Sequence, residues 1–141
     1  IKFIGSCERK GKKLAIRLNG TSDIPYENII VEGGQNIFEM FPQVQFYDYT
    51  KIPTRKTNYI FNYHLTWSYS EADSKYAALF DKVKHNIAVV FNGKLPKTFR
   101  GRRVIDGEKH DMRFKDPRNV VVGLRAKAEA KVEDNGFVIY T

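Results

Sequence analysis

The chain has a single cysteine, one tryptophan and no long apolar run. Cys7 can form no internal disulfide and cannot by itself hold a zinc ion or an iron–sulfur cluster, which points to a reducing, cytoplasmic setting. The longest unbroken apolar stretch, residues 87–91, falls far short of the roughly 20 residues a membrane-spanning helix needs, so no membrane partner is expected. No secretory signal, Walker loop or GxGxxG motif is present. RNP signatures, zinc fingers and a convincing helix-turn-helix are missing too, as are internal repeats and low-complexity tracts.

What remains is ordinary globular material. Its 141 residues, 42% hydrophobic and 28% charged, make one domain. A chain of this length removes roughly 70% of its unfolded surface from water, so neither disulfide nor metal is needed for folding. The formal charge is +8, and it is unevenly spread. Lys94, Lys97, Arg100, Arg102 and Arg103 follow one another with no acid among them, and Arg9, Lys10, Lys12 and Lys13 face only Glu8. Such clusters attract polyanions, nucleic acid first, or form a solvated basic face.

Short apolar strands run into clusters of small polar and ionisable residues. Residues 1–10 carry one helical stripe, with Gly11 as its C-terminal cap. A strand at 14–18 ends at Asn19-Gly20. Asp23 with Pro25 opens a helical turn, and Asn36 caps a short helix at 37–41 that Pro42 stops. Residues 44–50 form a second strand. A parallel strand at 62–67 is reached only through a one-turn helix, because residues 51–61 supply just eleven residues for the crossover. Ser70 or Asp73 caps a helix whose apolar positions run from Ala72 to Val83, and 87–91 is a buried strand. Asn92-Gly93, Asp106-Gly107 and Asn135-Gly136 are hairpin dipeptides, the second pairing 104–105 with 112–114 and the third following an alternating stretch at 125–132. The expectation is an α/β fold with a mixed sheet, or the open remainder of a β/α barrel, with a hairpin-rich C-terminal half.

In α/β sheets ligands sit beyond the carboxyl ends of the strands. Asn19, Ser22 and Asp23 offer an amide, a hydroxyl and a carboxylate to a polar ligand, or make an ordinary Asx turn. Asp48 and Lys51 flank a strand end and suit acid–base work or a structural ion pair, while His64 lies mid-strand as a wall or core residue. These three are the catalytic candidates. Asp106, His110, Asp111 and Asp116 are metal-ligand types at a spacing that matches no specific motif, so no metal and no cofactor is assigned. Between Tyr47 and Tyr69, seven aromatic residues interleave with Lys51, Arg55 and Lys56, as single-stranded nucleic acid requires, although about half of such rings must face the core.

The strings RLNGTSDIPYENI (17–29), FPQVQFYDYTKIP (41–53), NYHLTWSYSE (62–71), VIDGEKHDMRFKDP (104–117) and VVGLRAKAEAK (121–131) resemble a family of uncharacterised bacteriophage proteins over most of the chain. The resemblance implies a longer parent protein with cysteines upstream, similar to the partial barrel of radical S-adenosylmethionine enzymes, of which this chain is a fragment. An upstream segment or partner protein would then complete the sheet. A closed eight-unit barrel needs roughly 250 residues and is excluded. The first functional expectation is a phage-encoded protein that binds or acts on nucleic acid through its basic surface. The alternative is an enzyme or small-ligand protein with its site at the strand carboxyl ends.

Overall fold

The computed structural model describes residues 2–127 and 137–140. Helix α1 (Lys2–Arg9) ends where Gly11 takes a φ of 65°, and the Lys12 N–H closes back on the Cys7 carbonyl at 2.9 Å. Four strands then stand side by side in chain order, all parallel: β1 (Ala15–Arg17), β2 (Gln45–Thr50), β3 (Tyr63–Ser68) and β4 (Asn86–Asn92). Next to β4 lies β7 (Val121–Arg125), then β6 (Arg102–Asp106) and β5 (Thr98–Phe99), of which only the β5–β6 pair is antiparallel. β8 (Val138–Tyr140) pairs in parallel with the last residues of β4. The result is an open, mixed α/β sheet with few helices. Strands β1 to β4 keep the order of an arc of a β/α barrel, and β7 breaks that order.

Alternation in β2 buries Phe46, Asp48 and Thr50 on one face. The parallel register sets Tyr63, Leu65 and Trp67 beside them, and β4 continues the face with Ile87, Val89 and Phe91. Two apolar clusters cover it, one around Phe38, Phe46 and Leu65 and one around Trp67, Tyr69, Phe80 and Phe91. Each such buried side chain contributes about 1.5–3 kcal/mol. Helix α2 (Ile37–Met40) begins at Asn36, whose side chain accepts the Glu39 N–H at 3.0 Å, as its sequence predicts.

Four expectations change. The 51–61 crossover is made by turns without a helix, yet still delivers a parallel β3. Helix α3 (Ser74–Ala77) is one turn long and the chain continues as turns, after which Arg102 takes the carbonyls of Phe80 (3.4 Å), Val83 (2.6 Å) and His85 (2.9 Å). Its apolar face is nonetheless correct, since Tyr76, Ala77 and Val83 pack on the core with Phe80. Asn92-Gly93 joins β4 to no antiparallel partner, and Asp106-Gly107 closes no hairpin: β6 runs parallel to β7, and Arg113–Lys115 is a 3₁₀ turn. A Cβ on Gly107 would come within 2.5 Å of Val122 and 2.8 Å of Arg113, so this glycine serves close packing. The hairpin of this half turns instead at Arg100 and Gly101, with φ of 47° and 81°, as a two-residue loop between right-twisted strands requires. Asn135-Gly136 and most of the alternating stretch lie outside the described residues. Among the described residues no helix is long and apolar enough to cross a membrane.

Candidate functional site

Beyond β1 the chain folds over the carboxyl half of β2. Asn19 donates its backbone N–H to Asp48 Oδ1 at 2.7 Å and its amide to Oδ2 at 3.1 Å. The Tyr63 hydroxyl donates to the same Oδ2 at 2.7 Å and accepts from Arg55 Nη2 at 3.1 Å. Arg55 lies bidentate on Glu27, at 2.9 and 2.7 Å, and reaches Asp23 at 2.9 Å. Asp23 also accepts from the Thr50 hydroxyl at 2.8 Å and the Lys51 backbone N–H at 2.7 Å, while the Ser22 hydroxyl donates to the Asn19 side chain at 2.8 Å.

The structure therefore joins Asn19, Ser22, Asp23 and Asp48 in one network, and Lys51 enters it through its backbone. Both Asp48 oxygens are filled by the chain's own donors, and its side chain is fully buried. Burial first, and then the bond to Asp48, push the Tyr63 phenol far above its ordinary range. The cluster is built to hold the loops after β1 and β2 in place. His64 stands apart from it: its register partner is Tyr47, one residue out of phase with Asp48, so it projects from the opposite face.

Cavities lie at both ends of the strands. At the carboxyl ends of β2 and β3 a cavity of about 560 Å³ is lined by Lys51, Trp67, Ser68, Ser74, Lys75 and Phe137 among others. At the amino ends of β3, β4 and β7 a larger one of about 790 Å³ carries Phe61, His64, Lys82, Lys84, His85 and Arg118. Phe61 is 81% exposed. The His85 Nε2 lies 3.3 Å from the Arg55 carbonyl, which can only accept, so that nitrogen carries the proton and Nδ1 keeps its lone pair. Burial, then His85 and Arg113, lower the His64 imidazole to about 4, and burial likewise lowers His85. Both rings are neutral at pH 7.

The basic run divides. Arg102 is buried on backbone carbonyls, whereas Arg100 reaches the Tyr69 hydroxyl at 3.1 Å and Asp81 at 3.6 Å. Lys94, Lys97 and Arg103 are exposed. Because Arg102 and Asp81 also line the amino-end cavity, the β5–β6 hairpin adjoins it. The candidate metal ligands separate, Asp106 bonding Arg125 and Asp116 pairing with Arg113 at 3.2 Å. Among the described residues no three His, Cys, Asp or Glu side chains are grouped as metal ligands.

The sequence pattern of the family described as Gene product 88 matches residues 2–140. The chain belongs to the Gene product 88 family. No curated protein and no solved structure matches it. Membership agrees with the resemblance to uncharacterised phage proteins and assigns no chemistry, so function in this Gene product 88 member is argued from geometry alone.

Sequence reasoning missed Phe61 as an exposed ring, Lys82, Lys84 and Arg118 as cavity cations, and Glu27 with Arg55 as a buried pair. No sequence signal marked Phe61: strand parity would set it with Tyr63 and Leu65 on the core face, but it stands before β3 begins, where alternation no longer applies, and it is exposed.

Proposed function

We propose that this protein binds single-stranded nucleic acid in the cavity at the amino ends of β3, β4 and β7, with the cations of the β5–β6 hairpin extending the track. The observation that carries this reading is an 81% exposed Phe61 on the lining of a cavity that also carries Lys82, Lys84 and Arg118. A base stacks on the ring and adjacent phosphates meet the cations, the combination single strands use. His64 and His85, neutral at pH 7, line the cavity without adding charge, and His85 Nδ1 offers a base edge an acceptor. Arg103 and Lys97, exposed on and beside the hairpin, supply further phosphate contacts.

Anisotropy of labelled oligonucleotides tests it, comparing single strands with duplex of the same sequence between about 50 and 200 mM salt. Single strands bind more tightly than duplex, and Phe61→Ala weakens them by about 5- to 100-fold, the worth of one stacked base. Lys84→Ala and Arg118→Ala each lower the salt slope by about 0.7. Weak binding that ignores salt, or a Phe61→Ala variant that binds like the native protein, overturns the reading.

A further inference from the structure

The edge of β4 changes partner part-way along. Its first residues pair with β3, the last register step being Ser68 with Ala88, and from Val90 onward the same edge pairs with β8 through Val138. The carboxyl-end cavity lies at this handover, bounded by Trp67 and Ser68 at the end of β3 and by Phe137 just before β8. A break in strand succession at the carboxyl side of parallel strands leaves a crevice that backbone pairing does not fill, and open α/β sheets use such crevices for ligands.

The lining has a definite chemistry. Lys51 and Lys75 supply two ammonium groups, Ser68, Ser70 and Ser74 three hydroxyls, and Trp67 and Phe137 an apolar wall. The backbone at Lys51 is fixed, since its N–H is held by Asp23 at 2.7 Å and Asp23 is itself held by Thr50 and Arg55. Thr50 is the register partner of Trp67, so Lys51 and Ser68, one step further on, leave neighbouring strands side by side. Ammonium and hydroxyl donors lining one crevice suit a compact anion, and the aromatic wall suits an organic group attached to it. Asp73 on the same lining offers an acceptor for a hydroxyl of that group.

We propose that the carboxyl-end cavity is a binding site for a small phosphate ester, its phosphate held by Lys51, Lys75 and the hydroxyls of Ser68 and Ser74. The site is independent of nucleic-acid binding at the opposite ends of the strands. Trp67, the one tryptophan of the chain, reports on it directly. The full chain is titrated with inorganic phosphate, glycerol 3-phosphate and glycerol at constant ionic strength while Trp67 emission is followed. Both phosphates shift the emission saturably and glycerol 3-phosphate binds more tightly, while glycerol does nothing. Lys51→Ala and Lys75→Ala each weaken binding about tenfold, as loss of one charge-assisted contact does, and Lys109→Ala on the exposed surface leaves it unchanged. An emission change no larger than sodium chloride produces, or Lys51→Ala and Lys75→Ala variants that bind like the native chain, overturns the proposal.

Discussion

Arg55 is the residue on which the loops after β1 and β2 depend. Its guanidinium and the Glu27 carboxylate are almost wholly buried, at 4% and 3% side-chain exposure, so the desolvation of each is offset chiefly by the other, with Asp23, Tyr63 and the Ile24 carbonyl as further partners of Arg55. Removing one partner of such a pair leaves an uncompensated charge in the interior, whereas replacing both with apolar groups removes the charge problem itself. Arg55→Met is therefore expected to cost about 3–5 kcal/mol in urea unfolding, and Arg55→Met with Glu27→Met together to recover most of that loss. A double variant no more stable than the single one would contradict the pairing. The sequence makes Asn19, Asp23 and Asp48 legible as residues with a task, because each stands where an apolar strand gives way to polar chain. Their partners are not legible: Arg55 sits in a run of aromatics and cations, and its acids lie upstream at Asp23 and Glu27, brought near only by the parallel pairing of β1, β2 and β3.

At the scale of elements, local signals succeed where they act over one turn, and the length of an element is less legible than its start. The Asn36 cap and the Gly11 stop are local and appear as read. The helix expected up to Val83 is one turn long, and the turns that follow it are tied to β6 by Arg102, which donates to the carbonyls of Phe80, Val83 and His85. The same contacts hold the rim of the amino-end cavity, since Asp81, Lys82, Val83, Lys84 and His85 all line it. Arg102 thus positions the cavity wall, and Arg103 beside it is exposed. Arg102→Met is expected to destabilise the fold by about 1–3 kcal/mol through unsatisfied carbonyls. Hydrogen exchange localises the effect: amides of residues 79–85 exchange faster than in the native chain while those of β2 keep their protection. Arg103→Ala changes neither. Uniform loss of protection across the sheet would mean that Arg102 acts on global stability alone.

For the whole molecule, the open α/β sheet was legible because its strands are short apolar runs with polar ends, and the order β4-β7-β6-β5 was not. Strand succession is a matter of long-range pairing, and Asp106-Gly107 carries a hairpin signal that close packing of Gly107 against Val122 and Arg113 overrides. Burial of titratable groups decides how the fold answers to pH. His64 and His85, both held neutral by burial, bind protons less readily folded than unfolded, so below about pH 6.5 the unfolded chain takes up protons first and stability falls with pH. For His64 the gap from 6.5 to about 4 is worth at most about 3 kcal/mol, fully lost near pH 4. Asp116, whose carboxyl is raised by burial, works in the opposite sense: its contribution is present at low pH and disappears as pH rises through its folded value. At the other extreme Tyr49 and Tyr63, raised by burial, keep their protons in the fold while the unfolded chain begins to ionise near pH 10, so stability falls again as pH rises. The urea midpoint should accordingly be level from about pH 7 to about pH 9.5 and decline on both sides. His64→Gln should flatten the acid limb between about pH 6.5 and 4 without moving the alkaline one, and Tyr63→Phe should lower the plateau, by leaving Asp48 a donor short, while flattening the alkaline limb. A midpoint that rises on acidification below pH 6.5 would show that the imidazoles are charged in the fold, and with them the neutral lining of the amino-end cavity would be lost.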